Sequence, residues 1–233
     1  VVSETVDAAK QWARGKSAAG FLNAVLRKVV SSRERFDGIP ATSVWPDWLT
    51  VAMMTSLGVE TATRLAKVQM TEPELDLTAR TPEAADTLAK ALGGERIGQV
   101  TVRVGTGDIS ALEGFEAGDW WVQDAAAVLP AQLLNIGASD KVFDLCAAPG
   151  GKTMQLAATG AKVTAIDRSA ARLTRVTENL ERTGLTENVE VLTGNVETWT
   201  PDTLADHVLL DAPCSALGTL RRHPEGAWIK QPD

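Results

Sequence analysis

The second half of the chain alternates short apolar runs with helical patterns, and this alternation constrains the fold more than any other feature. From about residue 119 onward, helical or polar segments separate four strand-like runs: 142–145, 163–166, 189–192 and 208–210. Strands that alternate with helices favour a parallel, doubly wound sheet with right-handed crossovers. The sequence therefore predicts an α/β domain with a ligand crevice at the carboxyl ends of its strands.

Two of the runs end abruptly in small residues, glycine or proline, with an acidic residue at the turn. Residues 142–153 read VFDLCAAPGGKT, and residues 208–224 read VLLDAPCSALGTLRRHP. A strand, a tight turn and a helix N-terminus together form a crevice for a nucleotide-like ligand. The second segment also places Cys214 between Pro213 and Ser215. We therefore expect a cofactor crevice with a thiol beside it.

Two phosphate-binding interpretations of the first turn are disfavoured. A P-loop needs a glycine five residues before Gly151, where this chain has Cys146. A dinucleotide site needs G-x-G-x-x-G, whereas the turn reads A-A-P-G-G-K and Pro149 offers no amide. The remaining ligand of this kind is S-adenosylmethionine, because small residues let the backbone approach its methionine portion.

Asp167 and Asn195 follow the second and third runs. Asp167 is placed to accept the ribose hydroxyls, as the acidic residue does in dinucleotide folds. It could instead cap a helix together with Ser169. Asn195 could reach the adenine edge with its amide, or it could be a turn residue after Gly194. Both alternatives stay open.

Cys214 and Asp211 suit methyl transfer to C5 of a pyrimidine. This carbon is a poor nucleophile until a thiolate adds to C6, and a base must later remove the C5 proton so that the thiol can leave. Cys214 could also be an inert buried thiol, and we expect Cys146 only to pack. A small basic cluster nearby in the sequence could bind an RNA phosphate or form a solvated turn; it consists of Arg221, Arg222 and His223.

Composition and the upstream pattern give further bounds. The net charge of -7 argues against a large nucleic-acid footprint, although a local basic patch can override it. Two cysteines provide no disulfide framework, which favours a reducing cytoplasm. Strand-like and helical segments at 75–79, 82–92 and 99–104 indicate a small α+β unit. Residues 1–36 have a helical pattern with an apolar stripe.

The chain resembles the Nop/Sun family of RNA cytosine-C5 methyltransferases. The resemblance is carried by DLCAAPGGKT (144–153) and LLDAPCSALGTLRRHP (209–224), and it fits best the bacterial Sun (Fmu) branch, which modifies 16S rRNA. Upstream, GFLNAVLRKV (20–29) is similar to the last helix of that branch's NusB-like domain, and GDWWVQDAAAVLPAQLL (118–134) to the start of its catalytic domain.

The resemblance implies roles for individual residues. Asp211 and Cys214 would be catalytic; Cys214 would assist product release, while the attacking cysteine belongs to a later Thr-Cys motif. Asn195 stands where the family usually has Asp. The residues implied to hold S-adenosyl-L-methionine are Cys146, Ala147, Ala148, Pro149, Gly150, Gly151, Lys152, Asp167, Asn195 and Asp211.

The resemblance also implies an organisation in three parts. Residues 1–36 would end a NusB-like helical domain, 37–118 would form linker helices and the small α+β domain, and 119–233 an incomplete methyltransferase domain. We therefore expect an internal fragment, inactive alone, of a cytoplasmic, monomeric rRNA methyltransferase without metal or membrane partner. The alternative is a non-catalytic RNA-binding or assembly module with a degenerate core. The intact DAPC and GGK residues favour the enzyme.

Overall fold

The computed structural model describes residues 2–12, 15–105 and 107–231. It divides into two compact units, one formed by residues 1–71 and 218–233 and the other by residues 72–217. The small α+β sheet and the parallel sheet therefore belong to the same compact unit, whereas the sequence suggested a domain boundary near residue 118.

The first unit is helical. Its helices are α1 (Val2–Gln11), α2 (Ala19–Ser31), α3 (Asp47–Leu57) and α4 (Val59–Gln69), followed by a last short helix, Gly226–Ile229. Gly58 separates α3 from α4, and its φ of +78° is in a region that only glycine adopts readily. Helices α3 and α4 bury Leu49, Met53, Ala62 and Ala66.

The second unit begins with a small antiparallel sheet. Its elements are β1 (Leu75–Ala79), α5 (Pro82–Leu92), β2 (Glu95–Ile97), β3 (Thr101–Val104) and β4 (Trp120–Val122), with strand order β2-β3-β1-β4. The side chain of Thr81 caps α5, and Gly93 ends it in the left-handed conformation. Leu77, Val102 and Trp120 are fully buried in its core. The predicted β1, α5 and β3 are confirmed.

A four-stranded parallel sheet completes the second unit. The elements are α6 (Ala125–Leu133), β5 (Lys141–Leu145), α7 (Gly151–Ala157), β6 (Lys162–Asp167), α8 (Ala170–Thr183), β7 (Val189–Thr193) and β8 (His207–Leu210). The strand order is β7-β6-β5-β8, and all three pairs are parallel. The chain runs outward from β5 to β7 and then returns to the other side of β5. The carboxyl ends of β5 and β8 are therefore the point at which the topology reverses and a crevice is expected.

The two faces of the parallel sheet are covered differently. Helices α7 and α8 share a buried cluster on one face that includes Met154, Val176 and Leu180. The connection from β7 to β8, which would carry a helix in a fully doubly wound sheet, contains none over residues 194–206. Trp199 from this connection instead packs edge-on against Phe143 of β5, with ring centroids 5.0 Å apart. The α/β class with a parallel sheet is confirmed, while helices on both faces are not seen in the described residues.

A buried aspartate of the small sheet also contacts the start of α6. Asp76 of β1 is 3% exposed, and it accepts hydrogen bonds from Arg103 of β3 and from the backbone N–H of Ala125. The negative charge at the start of α6 satisfies an otherwise unpaired helix N–H. In the part of the chain described here, no helix has the length and apolar character needed to cross a membrane.

Candidate cofactor and active site

The turn after β5 is a tight loop that leads directly into α7. Cys146 has a φ of +66° and Gly150 a φ of +103°, so the chain reverses within a few residues, and the Ala148–Pro149 peptide bond is cis. The N–H of Ala147 donates to the carbonyl of Ile166 in β6 at 2.9 Å. A Cβ at Gly150 would lie 3.2 Å from the side chain of Val176 in α8. The conformation therefore favours glycine at this position, and Val176 leaves little room for a side chain.

Asp167 holds this loop against the end of β6. Its carboxylate is 2% exposed and accepts from the N–H of Ala148 at 3.2 Å and from the N–H of Ser169 at 2.9 Å. Arg172 lies 3.4 Å from the same carboxylate and also donates to the carbonyl of Ala148. Ser169 caps α8 through its own side chain. Asp167 is thus a structural acceptor for the loop, and its predicted ribose contact stays a prediction.

Lys152 and Asp211 bring the two sequence segments together. Leu145 of β5 is paired with Leu210 of β8, so Asp211 follows at the edge of the sheet beside the loop. The Nζ of Lys152 lies 2.8 Å from Oδ2 of Asp211, with the two side chains 16% and 58% exposed. Residues that are 59 positions apart in sequence therefore form one charged pair at the predicted crevice.

The two cysteines have different surroundings. Cys214 is exposed, and its Sγ accepts from the N–H of Ala216 at 3.3 Å. Cys214 is therefore not buried, and its predicted role in product release stays a prediction. Cys146 is half-buried, and burial raises the pKa of its thiol, with the carboxylates of Asp167 and Asp211 acting in the same direction. This agrees with a packing role for Cys146, since a raised pKa disfavours the reactive thiolate.

Asp144 is a polar group of the site that the sequence analysis did not single out. It is 1% exposed, and its Oδ2 accepts from the hydroxyl of Thr153 at 2.6 Å. Burial raises the pKa of Asp144 to about 6, against the opposing effects of the Thr153 hydrogen bond and the Lys152 charge. A signal was available in the sequence, because an aspartate interrupts the apolar run VFDLC at a position that faces the same side as Val142.

Asn195 forms a local turn in the structure. Its Oδ1 accepts from the N–H of Glu197 at 3.1 Å, and its carbonyl accepts from Thr198 and Trp199. The turn alternative is therefore confirmed. Contact of its exposed amide with adenine stays a prediction.

The basic cluster belongs to the first unit. Arg221 donates to the carbonyl of Thr71 at 3.3 Å and to its hydroxyl at 3.0 Å. His223 lies 3.3 Å from the carboxylate of Glu225, and Arg222 is exposed. Part of this cluster therefore holds the helical unit together, and binding of RNA by Arg221, Arg222 and His223 stays a prediction.

A cavity of about 460 Å³ opens at the loop. Its wall includes the charged groups of the crevice and polar side chains of α8, among them Asp144, Cys146, Lys152, Asp211, Arg175 and Asn179. Among the described residues, no group of three or more His, Cys, Asp or Glu side chains is arranged to hold a metal ion.

Part of the chain, which includes residues 142–153 and 208–224, matches a known family model. Residues 131–233 match the family model described as 16S rRNA methyltransferase RsmB/F. The predicted family resemblance is confirmed over this segment. Relatives named ribosomal RNA small subunit methyltransferase B include those of Cronobacter sakazakii and Yersinia pseudotuberculosis, 47% and 46% identical over 126 residues. Each alignment covers 53% of this chain but only 29% of the relative.

Solved structures share the fold of the RsmB/F-like segment and of residues before it. The structure of PH0851 aligns with a TM-score of 0.73 at 23% sequence identity. The alignment covers 94% of this chain and 54% of the PH0851 chain. NSun6 from Pyrococcus horikoshii, crystallised with SFG, gives a TM-score of 0.67 at 19% identity. This alignment covers 75% of this chain and 72% of the NSun6 chain. A methyltransferase homolog from the same organism gives 0.64 at 25% identity, with 77% and 63% covered.

Proposed function

We propose that this chain contains the cofactor-binding part of an RNA methyltransferase that uses S-adenosyl-L-methionine to methylate C5 of a cytosine in 16S rRNA. One observation carries the proposal. The GGK and DAPC segments meet through the 2.8 Å pair of Lys152 and Asp211, within the segment that matches the RsmB/F model, and Cys214, three positions after Asp211, is exposed.

The residues present fit this cofactor. Apart from Lys152, the loop residues that line the cavity have small side chains, so a ligand can approach the backbone closely, and Pro149 removes an amide that a phosphate would use. Residues 146–152 would hold the methionine portion, with Asp167 near the ribose and Asn195 near the adenine. When bound, S-adenosylmethionine supplies an activated methyl group. The protein's part is to hold the donor and the base in line and to keep water out.

The proposed chemistry needs two cysteine functions and a base. A thiolate adds to C6 of cytosine, the electron pair moves to C5, and C5 takes the methyl group. Removal of the C5 proton by a base then restores the double bond as the thiolate leaves. By resemblance, Cys214 assists this release, with Asp211 beside it. The family's attacking cysteine follows a threonine, and neither cysteine of this chain does so.

The cysteine roles are tested in a longer protein that carries both the Pro-Cys and the Thr-Cys motif. Cys214→Ala should accumulate a protein–RNA adduct that resists denaturant, because attack proceeds but release fails. Replacing the Thr-Cys cysteine should give no adduct. Asp206→Ala, at the opposite edge of the sheet from the loop, is the control and should behave like the unmodified protein. An adduct that disappears in Cys214→Ala and persists without the Thr-Cys cysteine would reverse the assignment.

The partners are tested with the 233-residue chain itself. We propose that it binds S-adenosylmethionine and RNA, acts as a cytoplasmic monomer, and transfers no methyl group alone. Calorimetry with the cofactor and a filter-binding assay with a 16S rRNA transcript separate the two main possibilities. RNA binding without any cofactor binding would favour the non-catalytic RNA-binding module.

A further inference from the structure

A second cavity lies at the carboxyl end of α7, whereas the cofactor loop is at the amino end of this helix. Its wall is formed by residues at the end of β1, before β3, and around the carboxyl ends of α6 and α7. Its volume is about 430 Å³, close to the 460 Å³ of the cavity at the loop, and the buried Trp121 borders both. The second cavity is therefore large enough for a small ligand of nucleotide size, and it is distinct from the cofactor crevice.

The wall of the second cavity carries a positive charge and, among the described residues, no carboxylate. Its polar side chains are a guanidinium, four amides and a hydroxyl, which belong to Arg80, Gln99, Gln132, Asn135, Gln155 and Thr159. The cavity at the loop, by contrast, has Asp124, Asp144 and Asp211 in its wall. In a chain with 30 acidic and 23 basic residues, a wall without acidic groups favours a ligand that is itself negatively charged.

Two of these polar side chains are already used within the protein. Gln155 accepts from Gln123 at 3.1 Å and donates to the carbonyl of Val128 at 2.9 Å. The hydroxyl of Thr159 donates to the carbonyl of Leu156 at 2.7 Å. The other four are exposed and have no side-chain partner in the part of the chain that the structure describes: Arg80, Gln99, Gln132 and Asn135. The cavity thus presents one guanidinium and three amides to a ligand.

Arg80 is not neutralised by a nearby carboxylate. It follows β1 directly, and a neighbouring cavity has Arg80, Glu113 and Asp119 in its wall. Among the ion pairs of the described residues, none joins Arg80 to either acid. Its N–H donors are therefore available, and a guanidinium binds a phosphate through two parallel hydrogen bonds.

We propose that the second cavity binds one nucleotide of a single-stranded segment of the substrate RNA, away from the cytosine that is methylated. This inference rests on the proposed function and adds a second contact for the same RNA. Arg80 pairs with a phosphate, while Gln99, Gln132 and Asn135 contact the edge of the base. A carboxamide carries a donor and an acceptor side by side, which matches the donors and acceptors of an unpaired base. A phosphate ion alone would leave the three amides unused.

The amide contacts are tested by filter binding of a 16S rRNA transcript to the 233-residue chain. Asn135→Asp keeps the size of the side chain and the φ of +49°, which asparagine and aspartate both tolerate, but it removes the N–H donors and adds a negative charge. It should weaken RNA binding about tenfold, as for the loss of a base contact. Asn188→Asp is the matched control, because Asn188 is exposed and lies outside this wall. Its effect should be less than about twofold, since salt screens a distant exposed charge.

The phosphate contact is tested by the salt dependence of the same binding. Arg80→Gln should lower the slope of log affinity against log salt by about 0.7. Lys90→Gln removes a positive charge from the exposed side of α5, outside the cavity wall, and should leave the slope unchanged. All four variants should unfold at the same urea concentration as the unmodified chain, because each replaced side chain is exposed.

Unchanged affinity in Asn135→Asp would overturn the inference and leave the proposed function intact, even if the salt slope falls in Arg80→Gln, because a phosphate would then be bound without a base. Equal losses in Asn135→Asp and Asn188→Asp would also overturn it, since general repulsion would explain both. If the unmodified chain binds S-adenosylmethionine in calorimetry but not the transcript, the proposed RNA substrate itself fails, and the inference with it.

Discussion

Replacing Asp167 by alanine tests whether this carboxylate holds the cofactor loop in place. The side chain is 2% exposed and accepts two backbone N–H groups, from Ala148 in the loop and Ser169 at the start of α8. Each donor left without a partner costs about 1–3 kcal/mol, so the second unit should lose roughly 2–6 kcal/mol. The side chain of Arg172 is 54% exposed, and its ion pair with Asp167 adds little to this sum.

Because the chain has two compact units, the assay must report on residues 72–217 alone. Hydrogen exchange measured by mass spectrometry on peptides from β5, the loop and α7 does so. Loss of amide protection should be largest in the peptide that contains Ala148. Asp206→Ala is a suitable control, because Asp206 is exposed and accepts one N–H, from Lys141 at 2.8 Å at the opposite edge of the sheet.

The control should lower stability by about 1 kcal/mol or less, as expected for an exposed hydrogen bond. Cofactor affinity should fall in Asp167→Ala together with the loop protection. A stability loss in Asp167→Ala no larger than in the control, with the loop fully protected, would refute the structural role of this carboxylate. A loss of cofactor affinity without any change in loop protection would instead support the direct ribose contact.

Three further predictions follow from the charges. Lys152→Met should change the free energy of unfolding by less than about 1 kcal/mol, because its partner Asp211 is 58% exposed. The same change should strongly weaken cofactor binding. A urea titration measures the stability, and a calorimetric titration measures the affinity for the cofactor. Burial raises the pKa of Asp144 from 3.8 to about 6, so the folded protein holds a proton on this carboxyl more tightly than the unfolded chain does. The resulting stabilisation is complete below pH 3.8 and is lost as the pH rises through 6. Asp144→Asn should remove about 3 kcal/mol of this pH dependence of the free energy of unfolding, measured in urea titrations. Arg222→Ala should reduce the salt dependence of RNA binding by about 0.7 log units per log unit of salt, whereas an unchanged slope would mean that Arg222 contacts no phosphate.

Much of the fold follows from local sequence patterns. The bounds of β1, α5 and the four parallel strands agree with the apolar runs and with capping residues such as Thr81 and Gly93. Hydrophobic periodicity and turn chemistry act over a few residues, so they can be recognised without knowing the tertiary structure. The Lys152–Asp211 pair was also foreseeable, because parallel strands bring their carboxyl ends to one edge. Short strands such as β2 and β4, each of three residues, carry too little pattern to be predicted.

The sequence by itself determined that a parallel sheet carries a glycine-containing loop, an acidic residue at the end of β6 and a Pro-Cys after β8. Only the tertiary structure decided how these groups are used. Both oxygens of Asp167 accept from backbone N–H groups, and the side chain of Asn195 accepts from the N–H of Glu197 in its own turn. One oxygen of Asp144 has no donor among the described residues. Hydrogen-bond partners and burial depend on which distant segments pack together. Because the pKa and the availability of a side chain follow from that packing, they are not encoded in any local pattern.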